Sequence, residues 1–110
     1  MAIYITQGRY TADAVKRMAA NPENREKAVA ELMEKAGCKL HALYFTFGEY
    51  DFLSISEAPN EAAMASALVA GAASGGVTGL KTSLAIPAKD AVKVFELAGP
   101  LAASFKSPGG

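Results

Sequence analysis

Between Lys39 and Glu57 the chain carries two apolar, β-branched and aromatic runs, Lys39 to Phe47 and Asp51 to Glu57, parted only by Gly48-Glu49-Tyr50. Runs of that composition read as strands, and so short a connection joins them as an antiparallel hairpin. Everything else in the chain has to be arranged around that hairpin. Its register is open at the level of sequence. A two-residue turn places Tyr44 and Thr46 on the face of Leu53 and Ile55, whereas a three-residue loop places Leu43, Phe45 and Phe47 there. Whichever set faces away from the helices holds aromatic residues, such as Tyr44 and Phe52 or Phe45 and Phe47.

From Ala2 to Tyr10, Ile3, Ile5 and Gln7 alternate with Tyr4, Thr6 and Gly8, which predicts a first strand. Thr11 can cap a short helix with Val15, Met18 and Ala19 on one side, and Asn21-Pro22 interrupts it. Asn21 is equally suited to cap the next helix, in which Ala28, Val29, Leu32, Met33 and Ala36 make one apolar stripe that Gly37 ends. Beyond the hairpin, Pro59-Asn60 leads into a helix whose stripe is Met64, Ala67, Leu68, Gly71 and Ala72. A fourth strand follows through Leu80, Thr82, Leu84 and Ile86, and Asp90 to Ala98 predicts a short last helix stopped by Gly99-Pro100. The expected fold class is α+β: a ferredoxin-like βαββαβ domain with a four-stranded antiparallel sheet and helices on one face, plus that short C-terminal helix. One domain over residues 1–106 and a disordered tail at 107–110 complete the expectation.

Composition narrows the partners. Eleven basic and eleven acidic residues cancel, which removes the positive field that gathers nucleic acid or an anionic membrane. Neither is an expected partner. Cys38 is the single cysteine, so no intrachain disulfide can form and a reducing, cytoplasmic setting is expected. The opening Met1-Ala2-Ile3-Tyr4-Ile5-Thr6 lacks the basic and long apolar regions of a signal peptide. The Gly71 to Gly79 segment is glycine-rich but precedes a strand, whereas phosphate cradles open onto a helix N-terminus.

The stretch Gly37-Cys38-Lys39-Leu40-His41-Ala42-Leu43-Tyr44-Phe45-Thr46-Phe47-Gly48-Glu49-Tyr50-Asp51 resembles the signature hairpin of the GYD-domain family, and Ser56-Glu57-Ala58-Pro59 is similar too. The resemblance extends from about Ala2 to Ile86 in element order, with the chain departing from Ala88 onward. It implies the dimeric α+β-barrel group, in which two ferredoxin-like sheets pack face to face. It implies no activity and carries over no catalytic residue. A homodimer or higher homo-oligomer is expected on physical grounds as well, because a sheet with helices on one face leaves apolar side chains bare on the other.

Candidate ligand-binding residues are Tyr4, His41, Tyr44, Glu49, Tyr50 and Asp51. The last three put a phenol and two carboxylates at a hairpin tip, where such groups can fix a ligand or act as general bases. The plainer account is turn chemistry, with Asp51 satisfying loop amides. His41 has no second histidine, cysteine pair or spaced carboxylate beside it in sequence, so it is read as structural, and neither a metal nor a cofactor is expected. Cys38 follows the C-terminal end of a helix, the wrong end to activate a thiol. Tyr4, Tyr44, Thr46, Ser54 and Ser56 are candidates for lining a space between the sheet and a partner. Three functions remain in play: a homo-oligomeric module that binds a small, partly apolar ligand between sheets, a cofactor-independent isomerase or oxygenase, and a purely structural assembly protein.

Overall fold

The computed structural model describes residues 1–109. The elements are β1 (Ala2–Tyr10), α1 (Ala12–Ala20), α2 (Arg25–Lys35), β2 (Lys39–Phe45), β3 (Phe52–Ala58), α3 (Glu61–Ala73), β4 (Val77–Ala85) and α4 (Ala88–Ser104). All strand pairs are antiparallel and the sheet order is β2-β3-β1-β4. This is the ferredoxin-like α+β arrangement, with an extra helix between β1 and β2 and another after β4.

Local chemistry sets the boundaries. Thr11 Oγ1 accepts from the Ala14 N–H at 3.2 Å and Asn60 Oδ1 from the Ala63 N–H at 2.8 Å, so each side chain satisfies an orphan donor of the helix it starts. Helix α2 starts later than expected: Asn24, not Asn21, is its cap, accepting from Glu26 N–H at 2.9 Å. Its end is a Schellman turn. Gly37 has φ +79°, its N–H donates to the Glu34 carbonyl at 3.0 Å, and the Cys38 N–H donates to the Met33 carbonyl at 2.8 Å.

Strand β3 alternates strictly, with Phe52, Ser54, Ser56 and Ala58 buried and Leu53, Ile55 and Glu57 half-buried. The buried set faces the helices. Met33, Cys38, Ala58, Met64 and Ala67 form the core, with Tyr4, Val29 and Leu40 packed at its margin. Small residues on this sheet face let α2 and α3 approach closely, and Ser56, fully buried, donates its hydroxyl to Met64 Sδ at 3.7 Å.

The structure fixes the hairpin register. Phe45 opposes Phe52 and the Thr46 N–H donates to the Asp51 carbonyl at 2.8 Å, so the loop is Phe47 to Tyr50. An even-numbered loop keeps the parity of a two-residue turn, and Tyr44 shares its face with Leu53 and Ile55. The pairing of Tyr44 with Phe52 on one face does not hold. Phe52 is buried on the helix side and Phe45 lies on that side too, so Tyr44 is the aromatic residue of the open face. There it joins Ile3, Ile5, Leu53 and Ile55, which successive strand pairs place side by side.

Two helices depart from expectation. In α1 the buried residue is Ala14, beside Gly76, while Val15 is half exposed; the Thr11 N–H and hydroxyl both donate to the α3–β4 turn and set that orientation. Helix α4 does not stop at Gly99-Pro100 but runs seventeen residues. Pro100 removes the bond to the Glu96 carbonyl and its ring crowds that carbonyl, but both lie on an exposed face, where the helix has room to bend and water can serve the freed oxygen. No residue of α4 is buried, and the chain reaches 59 Å along its longest axis with a radius of gyration of 17.8 Å, against about 13 Å for a compact domain of this length. Residues 107–109 follow without helix or strand, and Gly110 lies outside the described residues. Among the described residues no helix is long and apolar enough to cross a membrane.

Candidate functional site

The hairpin tip is a locked structure. Asp51 Oδ2 accepts from the Tyr10 N–H at 2.9 Å, and the Asp51 N–H donates to the Gly8 carbonyl at 2.8 Å. Thr46 Oγ1 donates to the Tyr50 carbonyl at 2.8 Å, and Arg9 Nε to the Glu49 carbonyl at 2.8 Å. The Arg9 guanidinium also lies over the Tyr50 ring, 4.9 Å from its centroid. Tyr50 and the Glu49 backbone are thereby tied to β1, and Asp51 spends one carboxylate oxygen on the same strand. Asp51→Ala leaves the Tyr10 N–H without its partner and is expected to cost about 1–2 kcal/mol, whereas Asp51→Asn, which keeps an acceptor oxygen, costs less. Urea unfolding of the two variants measures the difference; equal stabilities would show the contact to be idle.

The candidate residues do not converge. Tyr4 lies under the helices at the margin of the core. His41 and Tyr44 are exposed, and Tyr44 belongs to the open sheet face. His41 Nε2 sits 3.1 Å from Glu57 Oε1, a pairing across the bulged edge of the sheet. Ser54 and Ser56 face the helices rather than an opposing sheet, and among the described residues there is no cluster of three or more side chains fit to hold a metal ion. Burial pushes the Cys38 thiol up, which keeps it protonated and unreactive.

A concave region lies beside the hairpin tip, and of the six candidates only Asp51 lines it. Between α1, the α1–α2 connection and the sheet runs a groove of two lobes, of about 580 and 600 Å³, meeting at Tyr10, Met18 and Arg25. One lobe reaches Asn21 and Val77; the other reaches Val15, Phe45 and Asp51. Burial raises the Tyr10 phenol, the Arg25 guanidinium opposes that and Asp51 adds to it, so Tyr10 stays protonated as a hydrogen-bonding group. Arg25 is paired with Glu23 at 2.6 Å. Apolar walls with a phenol and a neutralised ion pair suit a small, partly apolar molecule with a polar end. Sequence reasoning misses Tyr10 and Arg25 as site residues, since Arg25 reaches the groove only through the turn before α2.

The sequence comparison is decisive on ancestry, because a profile described as the GYD domain matches residues 4–95. The chain belongs to the GYD domain family. A relative in Thermus thermophilus, named "Glutamine synthetase and cystathionine beta-lyase binding protein", is 32% identical over 92 residues, spanning 84% of this chain and 96% of its own length. Two solved structures share the fold of this GYD domain. TTHA0845, also from Thermus thermophilus, gives a TM-score of 0.52 at 19% identity, covering 80% of this chain and 96% of its own. FFRP-DM1 gives 0.51 at 16% identity, covering 78% and 100% respectively. The GYD match ends within α4, so the second half of that helix lies beyond the family domain.

Proposed function

We propose that this GYD domain is a self-associating protein-binding module. Its copies close their open sheet faces on one another and present the remaining surface to other proteins. The open face carries the proposal: Ile3, Ile5, Leu53, Ile55 and Tyr44 form a contiguous apolar patch on the side without helices, and such patches mark protein interfaces. The relative's name supplies the class of partner to try first, metabolic enzymes such as glutamine synthetase and cystathionine β-lyase. The Asp51 carboxylate gives one oxygen to the Tyr10 backbone, the role of a group that holds the hairpin. Sedimentation of the protein mixed with each purified enzyme is expected to show a co-migrating complex at micromolar concentration. Separate boundaries with both enzymes would sink the protein-binding reading.

The Tyr10 groove favours a second reading in which the module also holds a small, partly apolar ligand. This differs from the expectation of a ligand held between sheets, since the groove lies beside α1. Native mass spectrometry of the purified protein would reveal a co-purifying molecule, and Tyr10→Ala should release it.

A further inference from the structure

The surface of this protein is larger than its mass warrants. The accessible area is 7699 Å², whereas a compact monomer of 11.4 kDa exposes about 5,800 Å². The excess, about 1,900 Å², is well above the roughly 800 Å² that one partner contributes to a stable interface. Much of it belongs to α4, which carries Phe95 at 74% exposure, Leu101 at 69% and Val94 at 44%, with Phe105 at its C-cap 74% exposed.

The order of residues along α4 says what fits it. Ala91, Val94, Ala98, Leu101 and Phe105 recur at alternating steps of three and four, the spacing of a seam that packs against another helix. Phe95 and Ala102 flank the seam on one side. Lys89, Lys93, Glu96 and Pro100 fall on the opposite face at 100° per residue, so the residue that interrupts the hydrogen-bond ladder is turned away from the seam. Alanine at alternate seam positions lets a second helix come close. The charges of α4 and its following residues, Lys89, Lys93 and Lys106 against Asp90 and Glu96, nearly cancel, which opposes the reading of a basic helix lying on anionic lipid.

We infer that α4 is a pairing helix that packs its Ala91–Val94–Ala98–Leu101–Phe105 seam against the same seam of a second copy of this chain. A self-complementary stripe meets its own copy across a two-fold axis, with Ala98 near the centre. So short a seam is marginal in isolation. The inference therefore rests on the sheet-face association of the proposed function, which raises the local concentration of one copy's α4 around its partner. Because the family match ends at residue 95, the second half of the seam belongs to this chain's extension.

Disulfide trapping in the full-length protein tests it, with buried Cys38 replaced by serine in every variant. Ala98→Cys is expected to form a covalent dimer under mild oxidation about tenfold or more faster than Lys93→Cys, which faces away, as pairing raises the effective concentration of the two thiols. Adding Leu101→Glu is expected to abolish the advantage, with the circular dichroism of the domain unchanged. Equal rates for Ala98→Cys and Lys93→Cys would overturn the pairing, as would Ala98→Cys joining a Val15→Cys partner in preference to itself. Loss of fast trapping on adding Ile55→Lys supports the pairing as resting on the sheet contact. Fast trapping that survives Ile55→Lys keeps the helix pairing and removes the sheet contact.

Discussion

Replacing Ile55 by lysine is expected to reduce the protein to monomers with its fold intact. Ile55 stands in the middle of β3, opposite Ile5 on one side and Ala42 on the other, at the centre of the apolar face that the helices leave bare. In the isolated protomer it is only half-buried, so a lysine there can carry its ammonium group to water and the domain should still fold. In a face-to-face dimer no such route exists. The variant forfeits the part of Ile55 still bare in the protomer, about 1 kcal/mol of apolar burial per protomer, which the two-fold repeats, giving about thirtyfold weaker association before the larger cost of desolvating two ammonium groups is added. Sedimentation velocity reads the result directly. Val69→Lys, on the exposed side of α3, is the matched control and should leave the sedimenting mass unchanged. A single unaltered mass for both variants would exclude the open face as the interface.

Gly8→Ala is expected to destabilise the domain, against the usual gain from removing a strand glycine. A Cβ at this position would lie 2.6 Å from Phe52 Cζ and 2.8 Å from Leu80 Cδ2. The Phe52 ring is not free to give way easily. Phe52 is 9% exposed and its ring rests against Tyr10, with centroids 5.2 Å apart. Overpacking of this kind costs about 1–3 kcal/mol, and for a domain of this size that lowers Tm by roughly 5–15 °C. Phe52→Leu, which removes the obstructing ring atoms, should recover part of the loss in the Gly8→Ala background while being destabilising by itself. Thermal unfolding of the three variants checks the coupling; additive effects would mean that the ring moves aside.

Those two positions show what a sequence of this kind reveals and what it withholds. The period-2 alternation of β1 and β3 is legible because one face of each is buried and the other is not, and the fold class follows from the order of such segments. The hairpin parity is not legible, because it depends on the Thr46–Asp51 pair and a Gly48 at φ +152°, a loop geometry that the residue types permit but do not dictate. The length of α4 escapes for a related reason: Gly99-Pro100 is a strong stop signal, but Pro100 falls on an exposed face, where the helix can bend away from the ring and water can take the freed carbonyl. For the site, Asp51 is legible as a turn residue, and the structure makes it a groove neighbour as well. Tyr10 and Arg25 meet only in three dimensions, through the bend at Asn21 to Asn24.

Both edges of the sheet carry a register shift, and in both the extra residue belongs to the outer strand. His41 is inserted in β2 between Leu40 and Ala42, and β4 spends Gly79 and Leu80 opposite Gly8, with Gly79 at φ +61°. A bulge bends and twists the strand that bears it, so neither rim offers a long flat row of free amide and carbonyl groups. A bare apolar face on a small domain would ordinarily invite open-ended stacking through its edges into fibrils. Here the bulged rims disfavour a further strand, so the association proposed above runs through the open face and the helix arm instead. Contacts of the kind proposed, closing about a two-fold axis, would let the protein be sticky without becoming a filament.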